Sequence, residues 1–105
     1  MSFRKIFIIF ICLIFSSNNL AFADSKMNLG LDVYNNKAQC GVCHTLQAAG
    51  STGDIGPNLD QLKAQMAQII AVVTNGIGVM PPWEGILTYE EIEAVAYYVF
   101  NSTNK

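Results

Sequence analysis

The sequence predicts an all-α domain of three to four helices joined by loops. Three observations carry that prediction. Thr88 and Glu91 stand three positions apart ahead of apolar residues at Ile92, Val95, Ala96, Val99 and Phe100, the pattern of a capped amphipathic helix. Leu59, Leu62, Met66, Ile69, Ile70 and Val73 recur at helical spacing in a second stretch. No run alternates apolar and polar residues for long enough to make a strand, and there is no internal repeat or second domain.

The chain opens with a targeting pattern. Arg4 and Lys5 precede an unbroken apolar run from Ile6 to Phe15, and Ala21-Phe22-Ala23 places small residues where a signal peptidase reads. An uncleaved anchor is the competing reading, but the run is shorter than the roughly 20 apolar residues that span a bilayer. Cys12 follows no small residue, which argues against a lipoprotein site. Residues 1–23 are therefore expected to be a cleaved signal peptide, with residues 24–105 as one exported domain and a bacterial periplasm as its compartment. Removing 23 of the 105 residues leaves 82. A domain that small buries a modest core and usually needs a staple or a cofactor.

Maturation also changes the charge. Without Arg4 and Lys5, four lysines face eight acids, a formal charge of −4. That balance excludes a nucleic-acid partner, because phosphate binding needs clustered cations. No stable membrane insertion is expected once the signal is removed.

The first mature element is a helix of two to three turns from near Met27 to Asn35, built on Met27, Leu29, Leu31, Val33 and Tyr34. Asn35-Asn36 should end it, since asparagine prefers turns and caps.

Next comes Cys40-Gly41-Val42-Cys43-His44. C-x-x-C-H is the attachment signature of a c-type haem. Residues i, i+3 and i+4 share one face of a helical turn, so both thiols and the imidazole can meet one porphyrin. Each thiol can add across one haem vinyl group while His44 sits beneath the iron. A thiol redox pair is one alternative, but its usual βαβ setting is missing. Zinc is another, but a structural site wants four ligands, and a chain with three cysteines and one histidine falls short once Cys12 is removed. Haem c with its iron is the expected cofactor. Export agrees with it, since haem is joined to such proteins beyond the energy-transducing membrane.

Residues 45–57 form a glycine-rich loop closing on Gly56-Pro57-Asn58-Leu59. Pro57 restricts the backbone, so its carbonyl can be held in one place. A proximal histidine donates its second ring N–H to such a fixed acceptor. An ordinary loop-ending proline is the alternative. The helix over residues 59–75 is expected to break near Lys63 and to end at Asn75-Gly76. The terminal helix should run from Thr88 to Asn101-Ser102, with Glu90, Glu91 and Glu93 at its positive end.

The second axial position of the iron needs a ligand. His44 is the only histidine, which excludes a bis-histidine site within one chain. Of the mature methionines, Met66 lies on a helical apolar stripe, where methionine is usually packing, and Met27 near a helix start. Met80 stands in the loop Asn75-Gly76-Ile77-Gly78-Val79-Met80-Pro81-Pro82-Trp83. Glycines let that backbone approach a flat group, and the two prolines stiffen it. A thioether there would bind Fe(II) well and raise the potential. Trp83 is either core filling or a partner for the haem edge or a propionate.

In the order Cys40–Cys43–His44, Gly56-Pro57-Asn58-Leu59, Met80-Pro81 and an acidic-capped last helix, the chain resembles the class I, mitochondrial-like cytochromes c. Among these it looks most like the small bacterial periplasmic monohaem members, and the likeness covers nearly all of residues 24–105. The resemblance implies the cytochrome c fold, with thioethers at Cys40 and Cys43, His44 as proximal ligand, the Pro57 carbonyl as its acceptor and Met80 as distal ligand. It also implies that Gly30 and Tyr34 on the first helix meet Tyr97 or Tyr98 on the last. Tyr34 lies two residues further from the first haem cysteine than is commonest in the family.

The expected function is one-electron transfer between a redox-protein donor and an acceptor in a respiratory or oxidative chain, not enzymatic turnover. Neither paired carboxylates nor a nucleophile–base pair is visible for separate catalysis. Two other readings share these motifs. One is the cytochrome subunit of a periplasmic dehydrogenase, such as one oxidising sulfite or an alcohol. The other is a ligand-binding haem protein in which Met80 dissociates.

Overall fold

The computed structural model describes residues 20–105. The charged start and apolar run of the expected signal peptide lie outside the described residues. Only its residues 20–23 lie within, and they are helical.

Helix α1 covers residues 20–32 and widens into a π-helical turn, Val33–Lys37. It is longer than the expected Met27–Asn35. Leu20 and Phe22 are exposed, so its early turns rest on helix-favouring residues and not on packing. Asn35 and Asn36 do not stop it. The Asn36 side chain donates to Asp32 Oδ1 at 2.8 Å, and the Ala38 N–H reaches back to the Val33 carbonyl at 2.8 Å. The wide turn absorbs the asparagines and brings Val33 and Tyr34 inward, both fully buried.

Gln39 then takes a left-handed conformation, φ 50°, and starts the 3-10 turn Cys40–Val42. Two very short strands follow, β1 (Thr45–Leu46) and β2 (Ser51–Thr52), joined by the 3-10 turn Gln47–Ala49. They pair antiparallel, Thr45 with Thr52 and Leu46 with Ser51. This small ladder lies in a stretch expected to be loop alone. It forms because Gly50, at φ 67°, reverses the chain within a few residues. The molecule stays predominantly helical, as expected.

Helix α2 (Leu59–Leu62) is capped by Asn58, whose side chain accepts from the Gln61 N–H at 3.3 Å. It stops at Lys63, φ 48°, where the sequence predicts a break. Helix α3 (Met66–Asn75) ends at Gly76, and α4 (Tyr89–Thr103) closes the chain. At the start of α4 the Glu91 N–H donates to Thr88 Oγ1 at 3.1 Å, and the Thr88 N–H to Glu91 Oε1 at 2.9 Å, completing the capping box. α4 runs to Thr103, slightly beyond the expected end. The Thr103 hydroxyl donates back to the Val99 carbonyl at 2.9 Å, a bond that lets a polar residue sit buried in the last turn.

The core joins the two ends of the described chain. Val33 and Tyr34 from the first helical segment, Leu46 from β1, Leu87, and Ile92, Val95, Tyr98 and Val99 from α4 form one buried cluster. α1 crosses α4 at Gly30, where an added Cβ would lie 2.2 Å from the Ala94 carbonyl oxygen and 2.5 Å from Tyr98 Cβ. The Tyr34 and Tyr98 rings sit 5.9 Å apart at 60°, a tilted aromatic pair. Tyr98 is thus the tyrosine met at the crossing. Tyr97 instead lies under the Lys26 ammonium, 4.8 Å from its ring centre.

Two ion pairs flank this crossing. Lys26 Nζ lies 2.6 Å from Glu93 Oε1, and Lys37 pairs with Glu91. The Lys37 ammonium, and after it the Thr88 N–H, hold the Glu91 carboxyl below its ordinary value. A carboxylate with a lowered folded-state value stabilises the fold above its unfolded value, and the contribution fades as pH falls through the lowered one. Glu91→Gln is therefore expected to flatten the acid limb of the stability curve, read by thermal melts between about pH 6 and about pH 3. An acid limb parallel to that of the parent protein would show that the pair contributes nothing.

Candidate functional site

Cys40, Cys43 and His44 are held on one tight turn. The Cys43 and His44 N–H groups both donate to the Cys40 carbonyl, at 3.2 and 3.0 Å. Cys40 faces inward, packed against the core cluster, and neither thiol is in a disulfide. Burial pushes the Cys40 thiol up to about 11. An attacking thiol in a redox C-x-x-C pair needs the opposite, a lowered value. The thiol-redox alternative loses ground on that count.

The His44 ring is oriented from two sides. Its Nδ1–H donates to the Pro57 carbonyl at 2.7 Å, which leaves Nε2 as the ring atom available to a metal. Gly56 lies against the ring, so that a Cβ there would be 2.5 Å from Cε1 and 2.9 Å from Nδ1. The same segment is tied to the cysteine turn, because the Gly56 N–H donates to the Cys43 carbonyl at 2.7 Å. Gly53 also packs on that turn: a Cβ there would stand 2.6 Å from the carbonyl oxygens of Gly41 and Val42. Thr45 Oγ1 donates to the Gly53 carbonyl at 2.9 Å and holds the loop in place.

Met80 is on a separate segment. Ile77 and Met80 exchange both backbone hydrogen bonds, 3.1 and 2.9 Å, around Gly78 at φ 57°. Past the two prolines the Trp83 N–H donates to the Val73 carbonyl at 2.9 Å, fastening the far end of the loop to α3. Met80 is half-buried, with Val79 beside it almost fully exposed. Trp83 packs against the core.

These donors fit a haem c. Two free thiols and one oriented imidazole share a single turn. Half-buried apolar residues, Leu59 of α2 and Ile69, Ile70 and Val73 of α3, pack against the same buried core as Cys40. Among the described residues no group of three or more His, Cys, Asp and Glu side chains is placed to hold a metal ion by itself.

Comparison with known proteins agrees. The family model described as "Cytochrome C oxidase, cbb3-type, subunit III" matches residues 25–99. The chain belongs to the class I cytochrome c family. It is 35% identical over 78 residues to cytochrome c6 of Tetradesmus obliquus, covering 65% of this chain and 83% of that protein. Against cytochrome c6 of Leptolyngbya boryana the identity is 34% over 72 residues, covering 65% and 85%. The crystal structure of the c-type cytochrome SorU from Sinorhizobium meliloti superposes with a TM-score of 0.73 at 45% identity. That match covers 78% of this chain and 95% of that one. As a class I cytochrome c the chain carries a covalently bound haem c and its iron, and its single C-x-x-C-H makes it a monohaem electron carrier.

Several contributors to this site carry no signature in the sequence. Ser51 and Gly53 look like ordinary loop residues, and Asp60, whose carboxylate accepts from the Gln47 N–H at 2.9 Å, like an ordinary polar helix residue. A glycine run before Gly-Pro-Asn-Leu was the one available hint of close packing there.

Proposed function

We propose that the protein is a periplasmic one-electron carrier, delivered by a signal peptide of residues 1–23, that works without substrate turnover between a redox-protein donor and acceptor. In this reading Cys40 and Cys43 would hold the haem through thioethers, His44 Nε2 and Met80 Sδ would bind its iron, and the Pro57 carbonyl orients His44. The observation that supports it best is the 2.7 Å bond from His44 Nδ1 to Pro57, which points one ring nitrogen away and leaves the other for iron. Bound haem supplies the Fe(III)/Fe(II) couple. The chain's own residues do the rest. Pro57 fixes the imidazole tautomer and raises its basicity. The anchored Ile77–Met80 turn presents a soft thioether with little freedom left to lose. Leu59, Ile69, Ile70 and Val73 would offer the group apolar surface from the core. Among the described residues no helix is long and apolar enough to cross a membrane.

The test is a redox titration of the exported protein, with a spectrum of each state. The purified chain is expected to begin at Asp24, to show the weak long-wavelength Met–Fe(III) band when oxidised, and to bind CO slowly when reduced. Met80→Ala should abolish the band and lower the midpoint by on the order of 100 mV, a fraction of the roughly 0.8 V that axial ligands span. An unchanged band in Met80→Ala would remove Met80 from the iron. Rapid CO binding by the parent protein would favour a ligand-binding haem instead.

A further inference from the structure

The Ser51 hydroxyl is the most heavily used side-chain group beside the cysteine turn. Its oxygen lies 3.1 Å from the Leu46 N–H, 3.0 Å from the His44 carbonyl and 2.9 Å from the Tyr34 hydroxyl. The Leu46 carbonyl is further off, at 3.5 Å. A hydroxyl has one proton and two lone pairs. The Leu46 N–H can only donate and the His44 carbonyl can only accept, so Ser51 gives its one proton to His44. That settles the third bond: Tyr34, whose ring and hydroxyl are fully buried, must donate to Ser51. All three sites of the hydroxyl are filled, each in a single direction.

The placement is equally constrained. Ser51 pairs with Leu46 across the small ladder and packs directly on Gly41 inside the C-x-x-C-H turn. A Cβ at Gly41 would be 2.6 Å from Ser51 Cβ and 3.5 Å from Tyr34 Cε1. Tyr34 is also the residue that the first helical segment places against Tyr98. A chain of contacts therefore runs from α4 through Tyr34 and Ser51 to the main-chain carbonyl of His44.

We propose that Ser51, aligned by Tyr34, is a positioning residue for the proximal ligand. Ser51 holds the His44 main chain from one side while Pro57 holds its ring from the other, and together they set how strongly the imidazole donates to iron. The inference rests on His44 being that ligand. Without the Ser51 bond the His44 main chain can shift, its Nδ1–H bond to Pro57 weakens, and the imidazole becomes less basic. A less basic ligand favours Fe(II), so the midpoint rises.

The experiment uses the haem-loaded mature protein and its Ser51→Ala and Tyr34→Phe variants. Midpoint potential, the hyperfine-shifted haem-methyl resonances of the oxidised form and melting temperature are all read. Ser51→Ala is expected to move the Fe(III):Fe(II) ratio at the parent midpoint at least threefold towards Fe(II), about 28 mV upward at 59 mV per decade. It should also change the spread of the methyl resonances, which reports imidazole orientation. Tyr34→Phe keeps the Ser51–His44 bond but loses its aligning donor, and is expected to shift both readouts the same way by less. A lower melting temperature with midpoint and methyl spread unchanged would make Ser51 merely structural and overturn the proposal. If Ser51→Ala does not mature, Tyr34→Phe decides by the same two readouts. The parent spectrum is recorded first: a parent without histidine ligation would sink the proposed function, whereas a normal parent with unmoved variants sinks only the role of Ser51.

Discussion

Gly30→Ala is expected to destabilise the domain by about 3 kcal/mol or more, a large share of the 5–15 kcal/mol on which domains of this kind rest. The new methyl carbon would meet the Ala94 carbonyl oxygen at 2.2 Å, the carbonyl carbon at 2.9 Å and Tyr98 Cβ at 2.5 Å. Two of these three atoms are backbone and the third is bonded to it, so no rotamer change relieves the contact. The helices must move apart, which opens the tilted Tyr34–Tyr98 pair and loosens the core on both sides. The gain in helix propensity from glycine to alanine, about 1 kcal/mol, opposes this but is smaller. Denaturant unfolding of the haem-loaded protein measures the difference. A loss below about 1 kcal/mol would mean that the crossing tolerates separation and that Gly30 is not required by close approach.

Gly56→Ala strikes the site itself. Its Cβ would sit 2.5 Å from His44 Cε1, 2.9 Å from Nδ1 and 3.0 Å from Nε2. A side chain can often step aside, but this ring cannot do so freely, because its Nδ1 is bonded to the carbonyl of the very next residue, Pro57. Moving the ring breaks that bond, and moving the backbone disturbs the 2.7 Å bond from the Gly56 N–H to the Cys43 carbonyl. The expected result is a several-fold lower yield of haem-loaded protein, with the surviving fraction less stable by about 2 kcal/mol. The ratio of haem absorbance to protein in purified material reads the first effect, and a melt reads the second. Parent-like yield and stability would show that the ring has room the structure does not give it.

Both predictions concern glycines, and the two were not equally visible beforehand. Gly30 could be named as a crossing point from the family resemblance. The Gly56-Pro57 motif pointed to a histidine bond at Pro57, but not to an imidazole lying against Gly56 itself. The same contrast runs through the site. C-x-x-C-H is local chemistry: three reactive groups on one turn need only their spacing to be recognised. The capping box at Thr88 and Glu91, the stop at Lys63 and the cap at Gly76 are local too, and each stands where the chain suggested. The first helix extends past the predicted Met27–Asn35 at both ends because local rules are overridden. Asn35 and Asn36 favour a turn, but a π-helical widening accommodates them and buries Val33 and Tyr34. The ladder at Thr45–Leu46 and Ser51–Thr52 is too short to show any alternation.

Residue order alone was enough for the helical class, the haem-attachment turn and the lone histidine, because each depends on neighbours within one or two turns. Folding decided the contacts between distant segments. Tyr98 and not Tyr97 meets Tyr34, Gly53 and Gly56 press on the cysteine turn, and Ser51 ties Tyr34 to His44. Such contacts depend on which atoms the packed core brings within a few ångströms, and a serine or glycine in a loop bears no mark of what will be folded against it.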